Sequence, residues 1–136
     1  MIKQTITFED FNGNKRIEEA HFHLNEVEVV EMAYDNKSLF SKIEEISKNE
    51  DMYSTIKIIK ELIYLSYGKK SEDGMYFEKF DENGKRYADK FIQTAAYSAM
   101  FMELAKNDAK CNQFINGVLP KELSEEAKKQ LASIQE

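Results

Sequence analysis

The chain has 136 residues, a formal charge of −6, one cysteine, one proline and no tryptophan. That length suits a single domain that buries about two-thirds of its unfolded surface, so no disulfide or metal staple is needed. Acids and bases are interleaved, which counts against a nucleic-acid backbone as the main partner, because phosphate binding needs a clustered basic face. The most apolar run, Ile56 to Tyr67, is broken by Lys57, Lys60 and Glu61 and is too short and charged to span a membrane. The start, Met1-Ile2-Lys3-Gln4, lacks the apolar stretch of a secretory signal, and the lone thiol of Cys111 fits a reducing cytosol.

The first elements read as a β-hairpin over about residues 2–11 and 15–24. Ile2, Ile6 and Phe8 share one parity, as do Ala20, Phe22 and Leu24. The "NGN" at Asn12–Asn14 supplies residues that tolerate positive φ, as a tight turn requires. A register with Ile6 opposite Ala20 and Ile2 opposite Leu24 gathers the apolar set on one face, and a one-residue slip would scatter it. A two-stranded hairpin is marginal alone in water, so this face must lie on helices, while the open edges could pair with another chain.

Helices follow. Asn25 with Glu28 makes a capping-box start for "NEVEVVEMAY". "NKSLFSKIEEISK" puts Leu39, Phe40, Ile43 and Ile46 on one stripe. Asp51 caps a helix whose apolar face is Ile56, Ile59, Leu62 and Ile63, with Gly68 as its C-terminal cap. "KKSEDGMYFEKFDENGK" reads as a loop with turns at Gly74 and Gly84 and an extended piece at Met75–Phe80, after which a helix resumes over Arg86–Ile92. Thr94 caps Ala95–Ala105, and Asp108 caps Ala109–Asn116, ended by Gly117 and Pro120. Ser124 starts a last helix, Glu125–Ile134, whose Lys- and Glu-rich composition invites fraying. The expected fold is α+β: an N-terminal hairpin (2–24) packed on a mainly helical body (25–123) of about five to six helices, plus a C-terminal helix (124–136), in one domain.

Chemistry is sparse. Glu19, His21 and His23 share one strand parity and could form a two-His, one-carboxylate site, but without further ligands a solvated strand face is the better reading. "GKKS" at Gly68–Ser71 follows a helix, not a strand, and lacks a phosphate loop's upstream glycine, so it reads as a helix cap running into a turn. "DENGK" at Asp81–Lys85 fails calcium-loop spacing and is a turn. Cys111 has no histidine base near it in sequence and reads as a small helical residue. No catalytic, cofactor or metal site is expected, nor an enzyme. What remains is surface: Met100, Phe101, Met102, Phe114, Ile115, Val118 and Leu119 exceed one narrow stripe. Tyr97, Met100, Phe101 and Leu104 share a helical face, and Met102 points away from it, as adaptable apolar binding would need.

Three stretches carry a resemblance: "MIKQTITFEDFNGNKR", "LSYGKKSEDGMYFEK" and "QTAAYSAMFMELAKNDAKCNQFINGVLP". Together they resemble the tail assembly chaperones of long-tailed phages and prophages of Gram-positive bacteria, over about Met1 to Leu123. The 39–54 linker matches nothing in that pattern, and Ala99 stands where a charged residue is more usual. The resemblance implies a protein that binds the tape measure protein, keeps it soluble, helps recruit major tail protein and is absent from the mature virion. It implies action in the cytoplasm of an infected or lysogenic bacterium, as a homo-oligomer or as multiple copies on the client, without nucleic acid, membrane or cofactor. Where such phages make a longer form by frameshifting, a chain ending in "SIQE" would be the shorter product. Phe101, Met102, Phe114, Ile115 and Leu119 are then the candidate client-binding residues. The alternatives are a small non-enzymatic adaptor that binds a host protein and, further off, a metal enzyme built on Glu19, His21 and His23.

Overall fold

A computed structural model describes residues 1–35 and 52–119. The expected helix around Leu39–Ile46, the Asp51 cap, Pro120 and the helix after Ser124 lie outside the described residues. The fold is α+β, and the chain opens with an antiparallel hairpin of β1 (Ile2–Glu9) and β2 (Lys15–Phe22). There follow α1 (Glu26–Asp35), α2 (Met52–Ser66), β3 (Tyr67–Lys70), β4 (Phe77–Glu78), α3 (Ala88–Phe91), α4 (Ala95–Lys106) and α5 (Asp108–Val118). Among the described residues, the hairpin is half of a four-stranded sheet in the order β1-β2-β3-β4, with antiparallel neighbours.

The hairpin's register differs from the expected one by two residues: Ile2 faces Phe22, Gln4 faces Ala20 and Ile6 faces Glu18. The turn decides this. Asp10 donates its N–H to Asn14 O (2.8 Å) and accepts Gly13 N–H at its carbonyl (3.0 Å). Its carboxylate accepts the N–H groups of Asn12 and Asn14 (both 2.9 Å), and Gly13 takes φ +84°. Five residues therefore form the loop, and Glu9 is brought opposite Lys15. A shift of two keeps every side chain on its face, so Ile6, Ala20 and Phe22 still point to the core. The same hydrogen bonds recur at Asp81–Lys85, with Gly84 at φ +78°, so "DENGK" is a turn, joining Phe80 to its bridge partner Arg86.

Gly68 is not a helix cap. Helix α2 runs straight into β3, where Gly68 pairs with His21. A Cβ there would lie 2.6 Å from the Phe77 ring and 2.7 Å from the Glu78 carbonyl, so glycine is required by close approach. Ser66, fully buried at the junction, satisfies its hydroxyl on Leu62 O and its carbonyl on His23 N–H (2.8 Å). Phe22 lies at the centre of the core, with Tyr67, Phe91 and Phe114 around it at ring-centroid distances of 5.7, 5.9 and 5.4 Å. Ile58, Ile59, Leu62 and Ile63 of α2 complete this interior.

The capping box forms as expected: Asn25 Oδ1 accepts from Glu28 N–H (2.8 Å) and Glu28 Oε1 accepts from Asn25 N–H (3.1 Å). Thr94 caps α4 through its hydroxyl, which accepts from Tyr97 N–H (3.2 Å). Helix α5 is capped by Asn107, one residue before the expected Asp108, because the Asn107 side chain reaches Lys110 N–H (3.1 Å). Gly117 does not end α5 but lies inside it: a Cβ would meet Ile2 Cδ1 at 3.0 Å, so its small size lets β1 approach the helix. Leu24 N–H then ties the chain after β2 to Val118 O (3.1 Å).

Candidate functional site

The five candidate residues sit on α4 and α5 or just after them. Core-facing positions of α4 are Ala96, Met100 and Leu104, one turn apart and all buried. Tyr97 and Phe101 flank that stripe, their rings 6.2 Å apart, with Tyr97 edge-on to Phe91 at 6.0 Å. Phe101 is half-buried against the core. Met102 is 44% exposed, on the side of the helix away from Met100. In α5, Cys111, Phe114, Ile115 and Val118 face inward. Phe114 is fully buried and Ile115 nearly so, whereas Leu119 is half-buried at the helix end, its N–H on Ile115 O (3.3 Å). Thus Phe114 and Ile115 pack the floor, Phe101 and Leu119 edge it, and Met102 is the solvent-facing member.

Beside Tyr97 runs an apolar groove of about 350 Å³ between α2 and α4, lined by Tyr64, Ile92 and Tyr97 and by Lys57, Lys60 and Glu61. Tyr64 is held in place by its hydroxyl, which donates to Asp89 (2.8 Å); that bond and burial push its pKa up. A groove of apolar floor and charged rim suits the apolar face of an amphipathic helix.

Other exposed apolar side chains were not legible from helical periodicity, because they stand in turns and strands. Phe11 at the hairpin tip is 84% exposed and borders a cleft of about 220 Å³ that reaches Thr94 and Ala95 at the start of α4. Ile17, on the outer sheet face, is 71% exposed, and Met75 and Tyr76 project from the β3–β4 turn. The parity of Ile17 against Ala20 and Phe22 marks it as outward-facing; for Phe11 the turn position gives the signal.

The residues considered for chemistry are placed as structure. Glu19 pairs with Lys3 across the hairpin (3.6 Å). His23 lies edge-on to Phe77 (5.9 Å), its Nδ1 buried and without a hydrogen-bond partner among the described residues. Burial, aided by the N-terminal ammonium and Lys79, holds its pKa below the ordinary 6.5. Among the described residues, no three His, Cys, Asp or Glu side chains gather to hold a metal ion. Cys111 is buried, and burial, with Asp108 nearby, pushes its thiol up, away from thiolate reactivity. One polar pair is unforeseen by local sequence: Lys79, 7% exposed, donates to Glu28 Oε2 (2.5 Å) across fifty-one positions. Burial pulls the Lys79 pKa down, opposed by that carboxylate. Among the described residues, no helix is long and apolar enough to cross a membrane.

A family model described as phage tail assembly chaperone matches residues 1–136, the whole chain. No curated protein and no solved structure matches.

Proposed function

We propose that this chain, which belongs to the phage tail assembly chaperone family along its whole length, binds the tape measure protein, keeps it soluble and helps recruit major tail protein. The family match carries this reading. The surface is compatible with it: an apolar groove with a charged rim beside Tyr97, and the exposed Met102 on the outer side of the same helix. A long helical client exposes apolar faces before the tail tube covers them, and a small acidic partner with modest apolar contacts can shield such faces and still be displaced. The work is done by binding, without catalysis or cofactor, in the cytoplasm of the host cell, by several copies per client.

Co-expression tests this. The tape measure protein of the same phage, insoluble alone, should become soluble and co-purify with this chain. A tape measure protein that stays insoluble, while a host protein co-purifies instead, would replace this reading with that of a host-directed adaptor. Within the complex, Met102→Glu should reduce client solubility while the chaperone itself stays folded. Unimpaired rescue by that variant would remove Met102 from the client surface.

A further inference from the structure

Several copies on one client leave room for a contact between copies, and the backbone of β1 offers an edge for one. Among the described residues, strand β1 ends the sheet, with β2 on one side and no further strand on the other. In an antiparallel ladder, alternate residues aim both their N–H and C=O toward the same neighbour. Asp10 aims at Asn14 across the hairpin, so residues of its parity, Ile2 to Phe8, bond to β2. Lys3, Thr5, Thr7 and Glu9 therefore turn their main-chain donors and acceptors to the open side. The strand has no proline, no bulge in its pairing with β2 and no inward-pointing charge; its charges, Lys3 and Glu9, guard the edge against unmatched strands and leave it open to one of complementary charge.

We propose that a second copy of this chain pairs on that edge, β1 against β1, antiparallel about a two-fold axis through Ile6. The sequence is complementary to itself in this register. Lys3 of each copy falls opposite Glu9 of the other, Thr5 opposite Thr7, and Ile6 opposite Ile6. The hydrogen-bonding residues meet hydrogen-bonding residues, because all four outward positions share one parity. Two opposite-charge pairs and two Thr–Thr pairs are favoured cross-strand combinations, and the symmetry closes the contact as a dimer instead of propagating a fibre. Edge pairing alone covers little surface, so the dimer is concentration-dependent. The inference rests on the multi-copy part of the proposed function and is independent of the client's identity.

Sedimentation of the purified full chain over a range of concentrations tests it. A reversible monomer–dimer equilibrium is expected. Thr5→Pro removes an outward N–H and leaves the β2 ladder intact, so it should abolish the dimer with an unchanged thermal melt. Lys3→Glu sets two carboxylates opposite each other, and Glu9→Lys sets two ammonium groups opposite each other; each should weaken the homodimer about tenfold. Mixed together, these two charge variants should form a heterodimer, since both cross-strand pairs then join opposite charges. If Thr5→Pro fails to fold, the charge variants decide alone. A chain that stays monomeric at all concentrations, an oligomer insensitive to these variants, or a mixture that forms no heterodimer would each overturn the proposal, and none of them touches the client reading. A monomeric chain whose Thr5→Pro variant loses client binding would assign the edge to a client strand instead.

Discussion

Single residues in this molecule are decided by what stands beside them. Gly68 accepts no side chain because the Phe77 ring and Glu78 carbonyl lie within 2.7 Å of where its Cβ would be. Gly68→Ala should therefore destabilise by about 1–3 kcal/mol, read as a lower urea midpoint with an unchanged slope. His23 is held below its ordinary pKa of 6.5, chiefly by burial. The unfolded chain then takes up the proton first as pH falls, so stability that is complete above 6.5 is lost as the pH drops toward the folded-state value. Urea unfolding at pH 7.5 and 5.5 should show this loss in the parent chain and a smaller one in His23→Gln. Equal losses would show that His23 does not carry the effect.

At the scale of elements, short local devices set the geometry. The Asp10 carboxylate holds two turn N–H groups and the Arg16 guanidinium (2.7 Å), which lowers its own pKa and fixes the hairpin's register. Glu28 does two jobs, closing the capping box of α1 and meeting the buried Lys79 beyond β4. Glu28→Ala should cost about 2–4 kcal/mol, since it removes a cap and strands a buried ammonium. Lys79→Met should cost less, because an apolar side chain of similar length fills the same space and leaves a carboxylate that retains access to water. Thermal melts of the two variants give the order. A Lys79→Met loss as large as that of Glu28→Ala would show that the ion pair itself, not the buried charge left behind, carries the energy.

For the whole molecule, the division between interior and surface separates two kinds of variant. Phe114 lies against Phe22 at the centre of the core, and Phe114→Ala should destabilise by about 3–5 kcal/mol. Met102→Glu, at a side chain 44% exposed, should leave the melting temperature within a few degrees of the parent's, on the order of surface substitutions generally. Calorimetry distinguishes the pair. A Met102→Glu chain that unfolds would place that methionine in the interior and remove it from any client surface. The net charge of −6 acts at this scale too, because like-charged copies repel one another and salt screens that repulsion.

The sequence by itself determined the local elements. The hairpin, the Asn25–Glu28 box, the Thr94 cap and most of the inward faces of α2 and α4 follow from period, parity and capping chemistry, all of which act within a few residues; packing put Ile58 in the core in place of the expected Ile56 and added Ala96. The family, too, was legible in three short stretches and extends over the whole chain. Tertiary structure decided what depends on distant partners. β3 became a strand because β2 offered an edge to "YGKK", and Gly68 was needed for Phe77 and Gly117 for Ile2. Lys79 found its partner fifty-one positions away. The candidate surface divided in the same way: periodicity set Met102 apart from its neighbours, but only packing could sink Phe114 and Ile115 into the floor and leave Phe101 and Leu119 at its edge. An apolar side chain carries the same transfer free energy wherever it stands in the sequence, and whether that energy is spent inward or left for a partner is settled by which elements arrive to cover it.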